Sequence, residues 1–281
     1  MQYKYIYQFL ILVLVAALSV ACNDNSKFVG GKVGAFTTDN APGIAVGVTD
    51  AVSASYSYQE LNEIMTSMRA VLDSRDINSG TIAGTCATAP GTITFPTGLP
   101  KSGTISGTTT FNNFCLTGGT LTGDVTFNGS ADFEFTYDQS AMISKLGLQL
   151  TDVTVTENGY TVTMNGALTQ DNGVLSTVLT MDYTGSDGRD YQAKNLYKNG
   201  SYTVGYTVDG GAVSIPNFGS VDIKTKPQAI MGYNYCSNGK PISGTLVVTG
   251  DNNDEMEVNY DGCANYTVCL NASTTCDPYA W

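Results

Sequence analysis

From Thr81 onward, apolar and polar residues alternate with a period of two. Phe133, Phe135 and Tyr137 share one face. Leu146, Leu148 and Leu150 follow, then Tyr160, Val162 and Met164, then Leu175, Leu179, Met181 and Tyr183, then Tyr202, Val204, Tyr206 and Val208. Successive strand side chains point to opposite faces, so this rhythm predicts strands buried on one side only. Between the runs stand Asn128-Gly129, Asn158-Gly159, Asn172-Gly173, Asn199-Gly200 and Gly210-Gly211, dipeptides that supply the positive φ angles of tight hairpins. Strands joined this way are antiparallel neighbours, and the chain is expected to form a meander of roughly 12–16 strands. The predicted fold is mainly β: a large antiparallel meander sheet curled into a half-barrel or a two-layer sandwich.

One helix is predicted, over residues 57–75. Ser57-Tyr58-Gln59-Glu60 fits a capping box, in which Ser and Glu side chains satisfy each other's backbone amides. Behind it, Leu61, Ile64, Met65, Met68, Val71 and Leu72 recur at helical spacing and form an apolar stripe that must be buried on the sheet. Residues 22–55 are rich in Gly, Asn and Asp with little periodicity and read as a flexible tether, with one early strand at Lys32–Thr38. The β domain then spans 56–281, with a weak seam near 224–240 where Pro227 and Ser237-Asn238-Gly239-Lys240-Pro241 interrupt the alternation.

The first residues have a different character. A short basic start is followed by an apolar stretch and then Ser19-Val20-Ala21-Cys22, the layout of a secretory signal over 1–21. The cysteine at the cut resembles the lipobox of bacterial lipoproteins, with Ser19 at position minus three and the favoured Leu one residue early at Leu18. That resemblance implies a lipid-modified Cys22 as the mature N-terminus. Asn23 in place of Asp, in the lipoproteins it resembles, permits export to the outer membrane. The expected partner is the membrane, reached through the lipid, and the expected location is the cell envelope, facing the periplasm or the cell surface.

Seven cysteines less Cys22 leave six, and an even count in an exported chain reads as disulfides. Several pairings are open. The preferred one joins Cys86 to Cys115, which stand alone in the N-terminal half. Aligning the faces of Ile242, Leu246 and Val248 with Met256, Val258 and Tyr260 sets Cys263 opposite Pro241, within reach of Cys236. Cys269 is left for Cys276. The segment from Pro241-Ile242-Ser243-Gly244-Thr245 to Tyr260-Asp261-Gly262-Cys263 resembles the closing hairpin of a loose group of exported β-rich bacterial lipoproteins. That likeness supports the Cys236–Cys263 pair and implies no activity.

Net charge is −12, with 25 acidic and 13 basic side chains, which argues against nucleic acid as a partner. With no histidine and no C-x-x-C pair, the usual nucleophilic triads and zinc sites lack their residues, and no metal or cofactor is expected. Asp132 with Glu134, and Glu255 with Glu257, share a strand face and read as solvated pairs. Asp182, Asp187 and Asp190, and the run Asp251-Asn252-Asn253-Asp254-Glu255, offer oxygen ligands to calcium without the spacing of a preformed loop; turn chemistry accounts for both. The tyrosines read as core, and Tyr279-Ala280-Trp281 resembles an outer-membrane barrel terminus without the strand that should precede it.

Two classes remain. One is a non-enzymatic envelope lipoprotein similar to half-barrel carriers, with Leu61, Ile64, Met65 and Met68 lining a site for an apolar ligand or an envelope protein. The other is a structural or adhesive surface scaffold with no small-molecule ligand.

Overall fold

The computed structural model describes residues 31–281 apart from 55–64, 67, 71, 74–79, 100–101, 118–122, 139, 141, 158, 172, 202–203, 233–235, 237–239, 272 and 274. Cys22 and the signal, the capping box at 57–60, Leu61, Ile64 and Val71 therefore lie outside the described residues.

Among the described residues, fourteen strands form one antiparallel meander: β1 (Thr81–Ala83), β2 (Thr92–Thr94), β3 (Thr104–Leu116), β4 (Val125–Tyr137), β5 (Ile143–Glu157), β6 (Tyr160–Asp171), β7 (Val174–Thr184), β8 (Asp190–Ser201), β9 (Gly205–Ile215), β10 (Gly219–Thr225), β11 (Ser243–Thr249), β12 (Glu255–Asp261), β13 (Asn265–Leu270) and β14 (Cys276–Ala280). Each strand pairs with its sequence neighbours, and β1 and β14 are the free ends of the order. The sheet neither closes nor curls strongly, so the half-barrel or sandwich gives way to a single open sheet. The physical reason is that helical residues, rather than more sheet, cover the apolar face. β10 and β11 pair across the segment at 224–240, from Asp222↔Thr249 to Thr225↔Leu246, so the sheet is continuous there.

The alternation places its apolar members on one face, except that Tyr160 and Val204, at strand ends, are exposed and Tyr202 lies outside the described residues. Phe133, Phe135, Leu146, Leu148, Leu150, Val162, Met164, Leu175, Leu179 and Met181 are all buried. Over this face lies α1 (Ala41–Ala54), which packs on β8 and β9 and reaches β13. α1 falls in the stretch read as a tether. Thr37 and Asn40 exchange the bonds of a capping box: Thr37 N–H donates to Asn40 Oδ1 (2.9 Å) and Asn40 N–H to Thr37 Oγ1 (3.3 Å). Pro42 follows in the first turn. Gly43 and Gly47 lower the helix propensity that would have revealed it, but they let the backbone approach the sheet. A Cβ on Gly47 would lie 2.7 Å from the Tyr191 ring. The strand expected at Lys32–Thr38 is reduced to one bridge, Lys32 to Ser220.

Residues 65–66, 68–70 and 72–73 are helical, within the predicted 57–75 helix. Met65, Met68 and Leu72 are fully buried. Gln170 Nε2 of β6 donates to Thr66 Oγ1 (3.1 Å), and Ile143 N–H of β5 donates to Asp73 Oδ1 (2.9 Å). This helical segment covers β5 and β6 as α1 covers β8 and β9.

Two of the five hairpin dipeptides lie at turns: Gly159 and Gly173 have φ of +83° and +80° between β5 and β6 and between β6 and β7. The other three lie inside β4, β8 and β9. Gly129 lies opposite a bulge in β5, where Asn128 pairs with Thr154 and Ser130 with Thr151, and Gly200 lies where a Cβ would meet Gly205 O at 2.3 Å. Glycine serves both turns and close backbone approach, and alternation alone does not separate the two uses.

Candidate functional site

Disulfides join Cys86 to Cys115, Cys236 to Cys263 and Cys269 to Cys276. The hairpin register explains the second. Ser243 pairs with Asp261 and Gly262 N–H donates to Ile242 O (2.8 Å), so the ladder runs on toward Pro241 and Cys263. Cys236 N–H donates to Lys240 O (2.9 Å), which folds Cys236 back onto that end. Cys269 and Cys276 face each other directly across β13 and β14, with Cα atoms 4.2 Å apart, a separation of close antiparallel pairs. Asp124 lies near Cys86 and Cys115, but both sulfurs are spent in their bond, which leaves no thiolates for a metal. Three disulfides belong to an oxidising compartment, and the chain is extracytoplasmic.

The acidic groups singled out from sequence are dispersed among separate partners. Asp132 accepts from Thr108 Oγ1 (2.7 Å), whereas Glu134 pairs with Lys145 (3.0 Å). Glu257 pairs with Lys226 (2.8 Å). Asp182 accepts from Gln192 (2.7 Å), Asp187 from Tyr191 Oη (2.8 Å) and Asp190 from Thr184 (3.1 Å). In the 251–255 turn, Asp254 Oδ2 takes the Phe36 amide (2.7 Å). Each of these carboxylates is held by a neighbouring side chain or backbone amide. Of the pocket residues expected on the helix, Met65 and Met68 lie in the continuous apolar core.

The densest polar chemistry sits elsewhere, at the C-terminal half of α1. Asp50 is buried and forms an ion pair with Lys240, also buried, at 6% and 8% side-chain exposure. Asp50 Oδ2 accepts from Ser186 N–H (2.7 Å) and Ser186 Oγ–H (2.9 Å); Lys240 Nζ also donates to Ser186 Oγ (3.2 Å). A Cβ on Gly185 would stand 2.5 Å from the Tyr191 ring and 3.0 Å from Asp50 Oδ2, so only glycine lets the β7–β8 turn close over the carboxylate. Lys240 Nζ lies 5.3 Å from the Trp281 ring centre. Trp281 stacks on Tyr266 (4.2 Å between centroids).

Around this pair stands an aromatic wall. Tyr183 and Tyr191 stack at 5.6 Å, and Tyr183 Oη donates to Gly47 O (3.3 Å). Thr49 Oγ1 lies 2.7 Å from Tyr260 Oη. Burial, the largest cause in each case, raises the phenols of Tyr183, Tyr191 and Tyr260 well above the ordinary tyrosine range and that of Tyr266 to about 12. Farther along β8 from Tyr191, the fully buried Lys198 donates to Val52 O near the end of α1 (3.2 Å), where helix carbonyls lack internal partners and the dipole favours a cation.

Sequence reasoning missed this cluster. Lys198 carried a readable signal, a cation at an inward position two residues after Leu196. Asp50, Ser186 and Lys240 did not, because the topology alone brings α1, the β7–β8 turn and the segment before β11 together. Comparisons with family models, curated proteins and solved structures found no match to this chain.

Proposed function

We propose that this chain is a non-enzymatic envelope lipoprotein, tethered to the outer membrane by a lipid on Cys22, whose sheet acts as a stapled scaffold for an envelope partner. The observation that carries this reading is the polarity of the sheet's two rims. Lys32, within the stretch read as a tether, bridges Ser220 at the rim formed by the end of β9 and the start of β10. Of the six exposed large apolar side chains among the described residues, four lie at the opposite rim: Met142 before β5, Val174 at the start of β7, Val204 before β9 and Ile230 after β10; Tyr160 lies at the Lys32 rim and Val178 within β7. A strand of 11 residues such as β9 separates the rims by about 35 Å. The described chain therefore begins at one rim while most of the exposed apolar side chains line the other, an arrangement that suits contact with another protein. Complete burial of Met65 and Met68 favours a scaffold over an apolar-ligand carrier.

Two measurements test the reading. Cys22→Ala should move the protein from the membrane fraction to the soluble one, or stall it at the uncleaved signal; unchanged partitioning with normal processing defeats the anchor. A photo-crosslinker at Val204 should yield a protein adduct in cells, whereas one at Tyr160, exposed on the opposite rim, should not. Absence of adducts at both positions removes the partner.

A further inference from the structure

The Asp50–Lys240 pair is set up for more than electrostatics. Both side chains are withdrawn from water, and in such surroundings a pair of charges loses its hydration and is held only by mutual attraction and local hydrogen bonds. Condensation of such a pair begins with transfer of one proton from Nζ to Oδ1, which removes both charges at once. The product is a neutral amine in contact with a carboxylic acid. Proximity of this kind, fixed by the fold, can substitute for a large part of a condensation barrier.

We propose that Lys240 and Asp50 condense into an intramolecular amide. After the proton transfer, the Nζ lone pair attacks Cγ of Asp50 and the carbonyl electron pair moves onto Oδ2. Oδ2 is the oxygen on which Ser186 N–H and Ser186 Oγ–H converge at 2.7 and 2.9 Å. These two donors stabilise the negative charge as it develops, as an oxyanion hole does. The tetrahedral nitrogen then passes a second proton to the Oδ1 hydroxyl, with Ser186 Oγ, 3.2 Å from Nζ, placed to relay it. The Cγ–Oδ1 bond breaks, water leaves and the C=O re-forms. One N–C bond is gained and one C–O bond is lost; the three ammonium protons end as two on water and one on the amide. No oxidant, reductant or activated donor is required.

The elements around the pair fit this chemistry. Trp281, stacked on Tyr266, covers Lys240, and the stacked Tyr183 and Tyr191 wall the helix side. The Gly185 turn brings the Ser186 donors onto the carboxylate. The amide would tie α1 to the strand entry 190 residues later, near the Cys236–Cys263 bridge. An extracytoplasmic scaffold would thereby gain a cross-link that reduction cannot open.

The full-length protein, purified from membranes, reduced, alkylated and digested, is examined by tandem mass spectrometry. The expected result is a branched peptide containing Asp50 and Lys240, lighter than the sum of its two arms by one water. Lys240→Arg, which keeps the charge but lacks a nucleophilic amine, should give the two linear peptides. Should that variant not fold, the wild-type digest decides alone: intact linear peptides carrying unmodified Asp50 and Lys240, with no branched species, overturn the proposal.

Discussion

Asp152 N–H donates to Asn165 Oδ1 at 2.9 Å, and Asn165 Nδ2 returns a bond to Asp152 Oδ1 at 2.9 Å. Asp152 holds a left-handed φ of +48°, and the β5–β6 ladder skips from Leu150 to Val153 there. The same device recurs in the flanking hairpins. Asn113, at φ +49°, gives its amide to Asn128 Oδ1 of β4 (2.7 Å), and Asn195, at φ +51°, gives its amide to Thr180 Oγ1 of β7 (3.2 Å). A line of bulges thus crosses β3 to β8, each with its orphaned amide satisfied from the neighbouring strand.

Asn165→Ala should lower stability by about 1 kcal/mol, the net worth of a lost side-chain bond to backbone. Asp152→Gly, which relieves the left-handed strain, should cost less than Asp152→Ala. Denaturant midpoints compare the three variants; an Asp152→Gly loss as large as that of Asp152→Ala would show that backbone strain is not the governing factor.

Gly166 sits one residue along the same line, at φ +125°, where a Cβ would lie 2.0 Å from Val178 O. Gly173, at φ +80°, faces open space. Gly166→Ala should therefore cost about 2–3 kcal/mol and Gly173→Ala about 1 kcal/mol, measured by urea unfolding. Equal losses at the two sites would refute the steric account.

Antiparallel order, inward faces and the register of the β11–β12 hairpin were legible because each rests on local alternation and turn residues. The Asp251-Asn252-Asn253 turn holds Asn252 and Asn253 at positive φ, as its composition suggests. What was not legible depends on distant contact. α1 is short-residue-rich and buried on nearly every side, so it lacks the one-sided stripe that betrays a surface helix. The interior use of Asn128-Gly129 and Asn199-Gly200 reflects bulges and close approach, which share their composition with turns. The Asp50–Lys240–Ser186 cluster is assembled from segments more than 50 residues apart, and no local pattern encodes it.

Met65→Ala and Met68→Ala should each destabilise by about 2–5 kcal/mol, as truncation of filled core positions does, because both residues are at or near zero exposure. Neither variant should take up an apolar fluorescent dye while folded. Small losses accompanied by altered dye uptake would instead identify a ligand cavity beneath the helical segment and revive the carrier reading.

The tyrosine cluster fixes the alkaline limit of the fold. Burial, before any neighbouring charge, raises Tyr183, Tyr191 and Tyr260 far above the usual value of 10.0 and Tyr266 to about 12; Asp187 adds to the effect at Tyr191 by accepting its hydroxyl. In the unfolded chain these phenols ionise near pH 10. Between that pH and their folded values the native state holds more protons than the unfolded one, so stability is fully present below pH 10 and falls as pH rises further. The protein should unfold cooperatively in this window, with the tyrosinate absorbance of the buried rings appearing in one step alongside loss of the far-ultraviolet β signal. Tyr260→Phe removes a phenol that resists ionisation in the fold, and should move the unfolding midpoint to higher pH while costing some neutral-pH stability through the lost Thr49 bond. A gradual, independent titration of all tyrosines with the β signal intact would mean that these rings are reached by water in the native state.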